Sequence, residues 1–208
     1  ADDDIRSGNG CDFLDGQWGD DIYRIRLMGA DNDGIMSVHD SGYSTVQSDI
    51  MRVKGTLFDD EFLLRKSSST TGLSFVALLN EAPYAERINY WSADEGLGLE
   101  RMVISGLLGN DHFASDDVGT DTTIEGNEGE DTFQVGQLYN SPRDICASEY
   151  NHVEPEDAFA TIETTVGWLS DGINQPMTIY GGVGNDHLTV FHNKAVLSLF
   201  GEHGDDIF

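Results

Sequence analysis

The residues in this sequence best suited to chemistry are aspartates that stand at a fixed distance behind glycines. Gly181-Gly-Val-Gly-Asn-Asp186-His-Leu188 returns 20 residues later as Gly201-Glu-His-Gly-Asp-Asp206-Ile-Phe208. Gly106-Leu-Leu-Gly-Asn-Asp111-His-Phe113 returns, again after 20 residues, as Gly126-Asn-Glu-Gly-Glu-Asp131-Thr-Phe133. Between those two copies lies Gly119-Thr-Asp121. Near the start Asp3, Asp12 and Asp21 advance in steps of nine, the last two behind Gly10 and Gly19. Gly55-Thr-Leu-Phe-Asp-Asp60-Glu-Phe62 is a worn copy that lacks the second glycine.

Short carboxylates among glycines suit a hard cation. Calcium takes about 6–8 oxygens at roughly 2.3–2.6 Å, and backbone carbonyls serve as well as carboxylates. Where glycines alternate, as Gly106 with Gly109, Gly126 with Gly129, Gly181 and Gly182 with Gly184, and Gly201 with Gly204, no Cβ prevents successive carbonyls from facing one concavity. Asp111, Asp131, Asp186 and Asp206 then each add a charged oxygen at the end of a turn. A single turn cannot fill the shell. Stacked strands lie about 4.8 Å apart, so an ion between two stacked turns can draw on both. The spacing pairs Asp111 with Asp131 and Asp186 with Asp206, and adds Asp12, Asp21 and Asp121 as further candidates. Asp12 and Asp21 are half a repeat apart and are expected on opposite edges. The far edge of the last repeat reads His192-Asn193-Lys194 and is expected to be metal-free.

These turns need strands to hold them. A short alternating run enters each turn ("MTIY", "MVIS", "TTIE", "LSLF") and another leaves it ("HLTV", "TFQV", "DIYRI"), the pattern of half-buried strands. The residue two after the aspartate is Tyr23, Phe62, Phe113, Phe133, Leu188 or Phe208, a core position. A repeat of 18 to 20 residues with two strands and two turns is one rung of a β-solenoid. Ordinary hairpin turns of an antiparallel sandwich would need a glycine or two, but not an aspartate at a fixed place. Long helices find no support.

The pattern Gly-Gly-x-Gly-x-Asp-x-apolar resembles the calcium-binding repeat of the RTX (repeats-in-toxin, haemolysin-type) family. The match is best at 181–190 and 201–208, fair at 106–113, 126–133 and 7–23, and poor at 55–62. It covers less than a third of the 208 residues. The resemblance implies an all-β, right-handed parallel β-roll or β-solenoid with irregular insertions, in which turns one rung apart share calcium. It also implies a segment of a large secreted or cell-surface bacterial protein that folds on meeting external calcium. On this reading 1–62 holds degenerate repeats, 63–105 a non-repeating β segment, 106–135 repeats, 136–178 an insertion, and 179–208 the last repeats. Both ends cut through repeats, so an excised piece is expected.

Composition narrows the partners. The chain has 38 acidic residues against 11 basic ones, a formal net charge of −27. Such a surface repels nucleic acid and anionic lipid, and its self-repulsion destabilises a compact chain unless cations neutralise part of it. Adaptation to high salt would explain the acidity but not the register. No apolar run of about 18 residues is present, so no membrane span is expected. The start "ADDDIRSG" is acidic where a signal peptide would be basic. Cys11 and Cys146 are too few for a disulfide framework, and seven rungs would hold them about 30 Å apart, beyond bridging distance.

Other chemistries are weaker. Cys146 and His152 carry a nucleophile and a base, but nothing aligns them. His112 and His187 share one repeat position on the surface. Trp18, Trp91 and Trp168 suit buried packing better than a carbohydrate platform. "GADNDG" (29–34) lacks the first aspartate and the glutamate of an EF-hand loop and reads as a turn. "GLSFVALL" and "ERINYWSA" read as strands, "RKSSSTTG" as a flexible loop, and "EPEDAFATIE" as a short helix within the insertion. A polysaccharide lyase or epimerase would need an acid, a Lys or Arg and an aromatic clustered on adjacent rungs, and three lysines offer no such cluster. A binding module, with carbohydrate or a cell-surface ligand reached through the parent protein, is expected rather than an enzyme. The oligomeric state stays open.

Overall fold

The computed structural model describes residues 2–8, 10–29, 34–42, 48–67, 70–80, 85–92, 98–136, 138–139, 161–165 and 167–208. Most of their regular structure lies in two β-sheets, and no helix occurs among them. The first sheet has seven strands, all parallel: β1 (Asp4–Ser7), β3 (Ile22–Arg26), β5 (Ile50–Lys54), β9 (Arg101–Leu108), β11 (Asp121–Glu128), β16 (Met177–Val183) and β18 (Leu197–His203), side by side in that order. Each is an alternating segment whose inward residues are apolar. In β3, Tyr23 and Ile25 are buried while Arg24 and Arg26 face water.

The second sheet has eight strands in the order β17 (His187–Val190), β12 (Thr132–Val135), β10 (His112–Ser115), β6 (Glu61–Lys66), β7 (Leu73–Leu78), β8 (Glu86–Trp91), β4 (Ile35–Val38) and β2 (Phe13–Leu14). Its ends are parallel, but β6, β7 and β8 form an antiparallel meander in the middle. A third, three-stranded antiparallel sheet joins β13 (Leu138–Tyr139), β15 (Gly167–Ser170) and β14 (Thr161–Thr164).

The all-β content agrees with the sequence, but the expected single parallel β-roll does not stand. A seven-stranded parallel sheet faces a mixed eight-stranded one. The overturning segment is 61–91, where "EFLLRK", "LSFVAL" and "ERINYW" pair head to tail. Their apolar faces are satisfied by hairpins, so no crossover is required. The insertion contains strand where a short helix was expected: Thr161, Ile162 and Glu163 lie in β14, and 154–160 fall outside the described residues.

Both sheets bury one face in a common core. Tyr23, Met51, Ile104, Ile124 and Ile179 from the parallel sheet meet Met36, Phe62, Phe113, Phe133 and Leu188 from the mixed one. In-register pairing stacks Phe62 on Phe113 with ring centres 4.7 Å apart, and Phe113 on Phe133 at 5.1 Å. Phe208 occupies the same register position but is exposed. Arg65, expected in a flexible loop, is instead a buried residue of β6, paired with Asp116 at 3.1 Å.

Candidate metal centre

The turns that carry chain from the parallel sheet to the mixed sheet lie directly above one another. Their aspartates form a ladder. The backbone N–H of Asp60 donates to Asp111 Oδ1 at 2.9 Å, that of Asp111 to Asp131 Oδ1 at 2.8 Å, that of Asp131 to Asp186 Oδ1 at 2.9 Å, and that of Asp186 to Asp206 Oδ1 at 3.0 Å. The 55 residues between Asp131 and Asp186 do not interrupt it. A second ladder beside it runs in the opposite sense, from the N–H of Glu130 to Asn110 Oδ1 and from that of Asp205 to Asn185 Oδ1.

One oxygen of each ladder carboxylate is thus used. The other is not: Oδ2 of Asp111, Asp131 and Asp186 is buried without a hydrogen-bond partner. The first glycine of each turn makes room for it. A Cβ on Gly106 would lie 2.0 Å from Asp111 Oδ2, on Gly126 2.2 Å from Asp131 Oδ2, and on Gly181 2.2 Å from Asp186 Oδ2. The same three points lie 2.9, 2.3 and 2.8 Å from the carbonyl oxygens of Gly126, Gly181 and Gly201, each from the next rung. Each cradle therefore brings together a charged oxygen from one turn and a neutral one from its neighbour. That is a donor set for a hard, oxygen-loving cation, so these residues fit calcium.

The later glycines have a different task. Gly109, Gly129, Gly184 and Gly204 have φ between 111° and 151°, and a Cβ on the last three would lie within 1.7 Å of the carbonyl of the preceding rung's glycine. Gly182 has φ of 114°, yet Leu107, Asn127 and Glu202 at its register position also adopt positive φ, at 86°, 79° and 73°. The stacking of the turns outweighs the left-handed penalty of roughly 1–2 kcal/mol per residue.

Asp60 shows what happens where the motif is worn. Its Oδ2 accepts from the Thr56 N–H at 2.6 Å, and its Oδ1 from Thr56 Oγ1 at 2.7 Å and Asn80 Nδ2 at 2.6 Å. Neutral donors satisfy both oxygens, and no orphan is left for an ion.

The remaining candidates divide. Asp12 precedes β2 and Asp21 precedes β3, so they lie on opposite edges; Asp12 is exposed and accepts from Ser7 Oγ at 2.5 Å. Asp121 is exposed at the start of β11, paired in register with Arg101. It misses the carboxylate ladder of its edge by one residue, because Thr120 occupies the equivalent place. On that edge the N–H of Asp3 donates to Asp21 Oδ1 at 2.6 Å, that of Asp21 to Asp49 Oδ1 at 2.8 Å, and that of Asp49 to Glu100 Oε2 at 2.7 Å. Asp40 approaches the same place from the end of β4, and single oxygens of Asp21, Asp40 and Asp49 all lie within 4.8 Å of one another. Sequence reasoning named Asp21 alone. The repeated dipeptide Asp-Ile at 21–22 and 49–50 was the available signal.

On the far edge, His192 bonds the Ser170 carbonyl and Lys194 pairs with Asp171 at 2.6 Å. Trp18 is exposed, Trp91 packs edge-on against His39, and the side chain of Trp168 lies outside the described residues, as do Cys146 and His152. Gly29 has the positive φ of a turn, while 30–33 also lie outside. Basic residues do cluster, against expectation: Arg6, Arg24 and Arg52 align across β1, β3 and β5, with Arg26 and Lys54 beside them and Asp4 bridging Arg6 and Arg24. Arginines supply the row that a count of lysines overlooked. No aromatic side chain lines it.

Burial sets the electrostatics of the ladder. It pushes Asp111 up to about 7 and Asp131 up to about 6, and raises Asp186; neighbouring aspartates add to the rise, and the backbone N–H bonds oppose it. The folded values exceed the unfolded one of roughly 3.9. The contribution to stability is therefore fully present below about pH 4 and lost as pH rises through 6 to 7. Metal-stripped protein is expected to melt at a higher temperature at pH 5 than at pH 7.5. Thermal unfolding at the two pH values checks this, and equal or reversed melting temperatures contradict it.

No protein-family model, curated protein or solved structure matches the chain significantly.

Proposed function

We propose that this chain is a calcium-binding module of a large extracellular or cell-surface protein, resembling the RTX repeats in its turns, and that it folds and stiffens as calcium enters them. One observation carries the reading. Three stacked aspartates each bury an oxygen without a partner beside a glycine carbonyl of the next rung. A buried unpaired charge is costly, and a divalent cation shared between rungs offsets that cost for both turns at once. The net charge of −27 supports the same reading, since bound cations relieve its self-repulsion. Binding then contributes directly to folding. The module acts by binding and shape rather than by catalysis; its ligand or surface partner belongs to the parent protein.

Calcium titrated into metal-stripped protein is expected to increase the far-ultraviolet β signal and raise the melting temperature. Magnesium, which demands tight octahedral geometry and sheds water reluctantly, is expected to do little. Identical spectra and melting temperatures in calcium and in chelator would overturn the reading.

A further inference from the structure

We propose that Asp21, Asp40 and Asp49 form a separate site for one hard divalent cation, calcium by its all-oxygen donors, on the edge opposite the main ladder. The three carboxylates are buried, with exposures of 0%, 0% and 2%, and their nearest oxygens fall within 4.8 Å. No Lys or Arg side chain bonds any of them among the described residues. Asp21 Oδ2 has no partner and is aimed at the gap beside Gly16, where a Cβ would lie 2.3 Å from it and 2.8 Å from Tyr23 Oη. Tyr23 donates to Asp40 Oδ2 at 2.6 Å while its own oxygen accepts from the Gly16 N–H at 2.7 Å, which fixes Asp40 toward the cluster. The Gln17 carbonyl stands beside Asp40 Oδ1, both within 3.0 Å of the point a Gly42 Cβ would occupy. Three charged oxygens with a neutral carbonyl at hand suit calcium, and water completes its shell.

This site differs in kind from the turn cradles. Each cradle shares an ion between like turns of consecutive rungs. Here Asp21 and Asp49 lead into β3 and β5 of the parallel sheet, while Asp40 leaves β4 of the mixed sheet. An ion held by all three pins one sheet to the other at that edge. The proposal does not rest on the main ladder binding calcium.

The experiment counts ions. Calorimetric calcium titration of the full chain is expected to give one equivalent fewer for Asp40→Asn than for the wild type. A chain carrying Asp111→Asn, Asp131→Asn and Asp186→Asn is expected to keep that equivalent. If the ladder fails and this site holds, the wild type binds one ion and Asp40→Asn none. Terbium supplies a second readout that does not depend on Asp40→Asn folding. Excited through tyrosine, terbium at this site lies beside Tyr23, so Tyr23→Phe is expected to dim the emission without lowering the ion count. Equal stoichiometry in Asp40→Asn and wild type, or emission unchanged in Tyr23→Phe, overturns the proposal.

Discussion

Gly126→Ala is expected to lower stability by at least about 3 kcal/mol and to remove most of the calcium-dependent rise in melting temperature. The reason is space. Gly126 has no positive φ, so alanine meets no backbone penalty there. Its Cβ, however, would lie 2.2 Å from Asp131 Oδ2 and 2.3 Å from the Gly181 carbonyl oxygen. Neither can retreat cheaply: Asp131 is held by the N–H of Asp111 on one side and donates to Asp186 on the other, and the Gly181 carbonyl belongs to the next rung's backbone. The methyl group would occupy the gap where the two rungs offer their oxygens, so the clash and the loss of the ion site are one event. For a chain of this size about 3 kcal/mol corresponds to roughly 6–12 °C. Gly8→Ala is the control, because a Cβ there meets nothing within 4 Å. A Gly126→Ala melting curve that matches wild type in both calcium and chelator would show the gap to be irrelevant.

The role of such a glycine can be read from sequence only in part. The Gly-x-x-Gly-x-Asp spacing placed Asp111, Asp131, Asp186 and Asp206 above one another because equal intervals between like turns produce in-register parallel stacking. The apolar residue two after each aspartate then had to point inward, and Phe113 and Phe133 do. The spacing could not reveal strand direction where the markers cease. Alternation with a period of two is the same in parallel and antiparallel strands, so 61–91 kept its strands but hid its meander. Positions set by approach rather than by type were hidden too. Leu107 and Glu202 take the left-handed conformation that only Gly182 advertised. Thr120, not Asp121, falls on the carboxylate ladder. Asp40 stands at the exit of a strand, where no repeat places an acid, and joins Asp21 only through the packing of two sheets. The aligned arginines of β1, β3 and β5 were invisible for a related reason: they are 18 and 28 residues apart in the chain and become neighbours only in register.

Phe113→Ala is expected to cost about 3–5 kcal/mol, and this loss should be nearly the same with and without calcium. Phe113 is 1% exposed and stacked between Phe62 and Phe133, with interplanar angles of 1° and 4°. Truncation leaves a void that β6 and β12 cannot close, because their own backbones are fixed by pairing with β10 on either side. The lost contacts with both neighbouring rings add about 0.5–1.5 kcal/mol each to simple area burial. Phe113 lies only two residues from Asp111, yet it reports a different part of the energetics. The aspartate belongs to the turn, where its unpartnered oxygen faces the cradle; the ring belongs to the core between the sheets. Calcium stabilises the native state according to its concentration relative to its dissociation constant, a quantity set by the cradle oxygens. The ring does not touch those oxygens, so the calcium increment should survive Phe113→Ala even as both melting curves fall. Gly126→Ala should do the reverse, eroding the increment more than the baseline. Measured as melting temperatures in calcium and in chelator, the two variants separate packing from ion binding. A Phe113→Ala protein that loses its calcium response while keeping its chelator melting temperature would mean that the core, not the turn, sets the cation affinity.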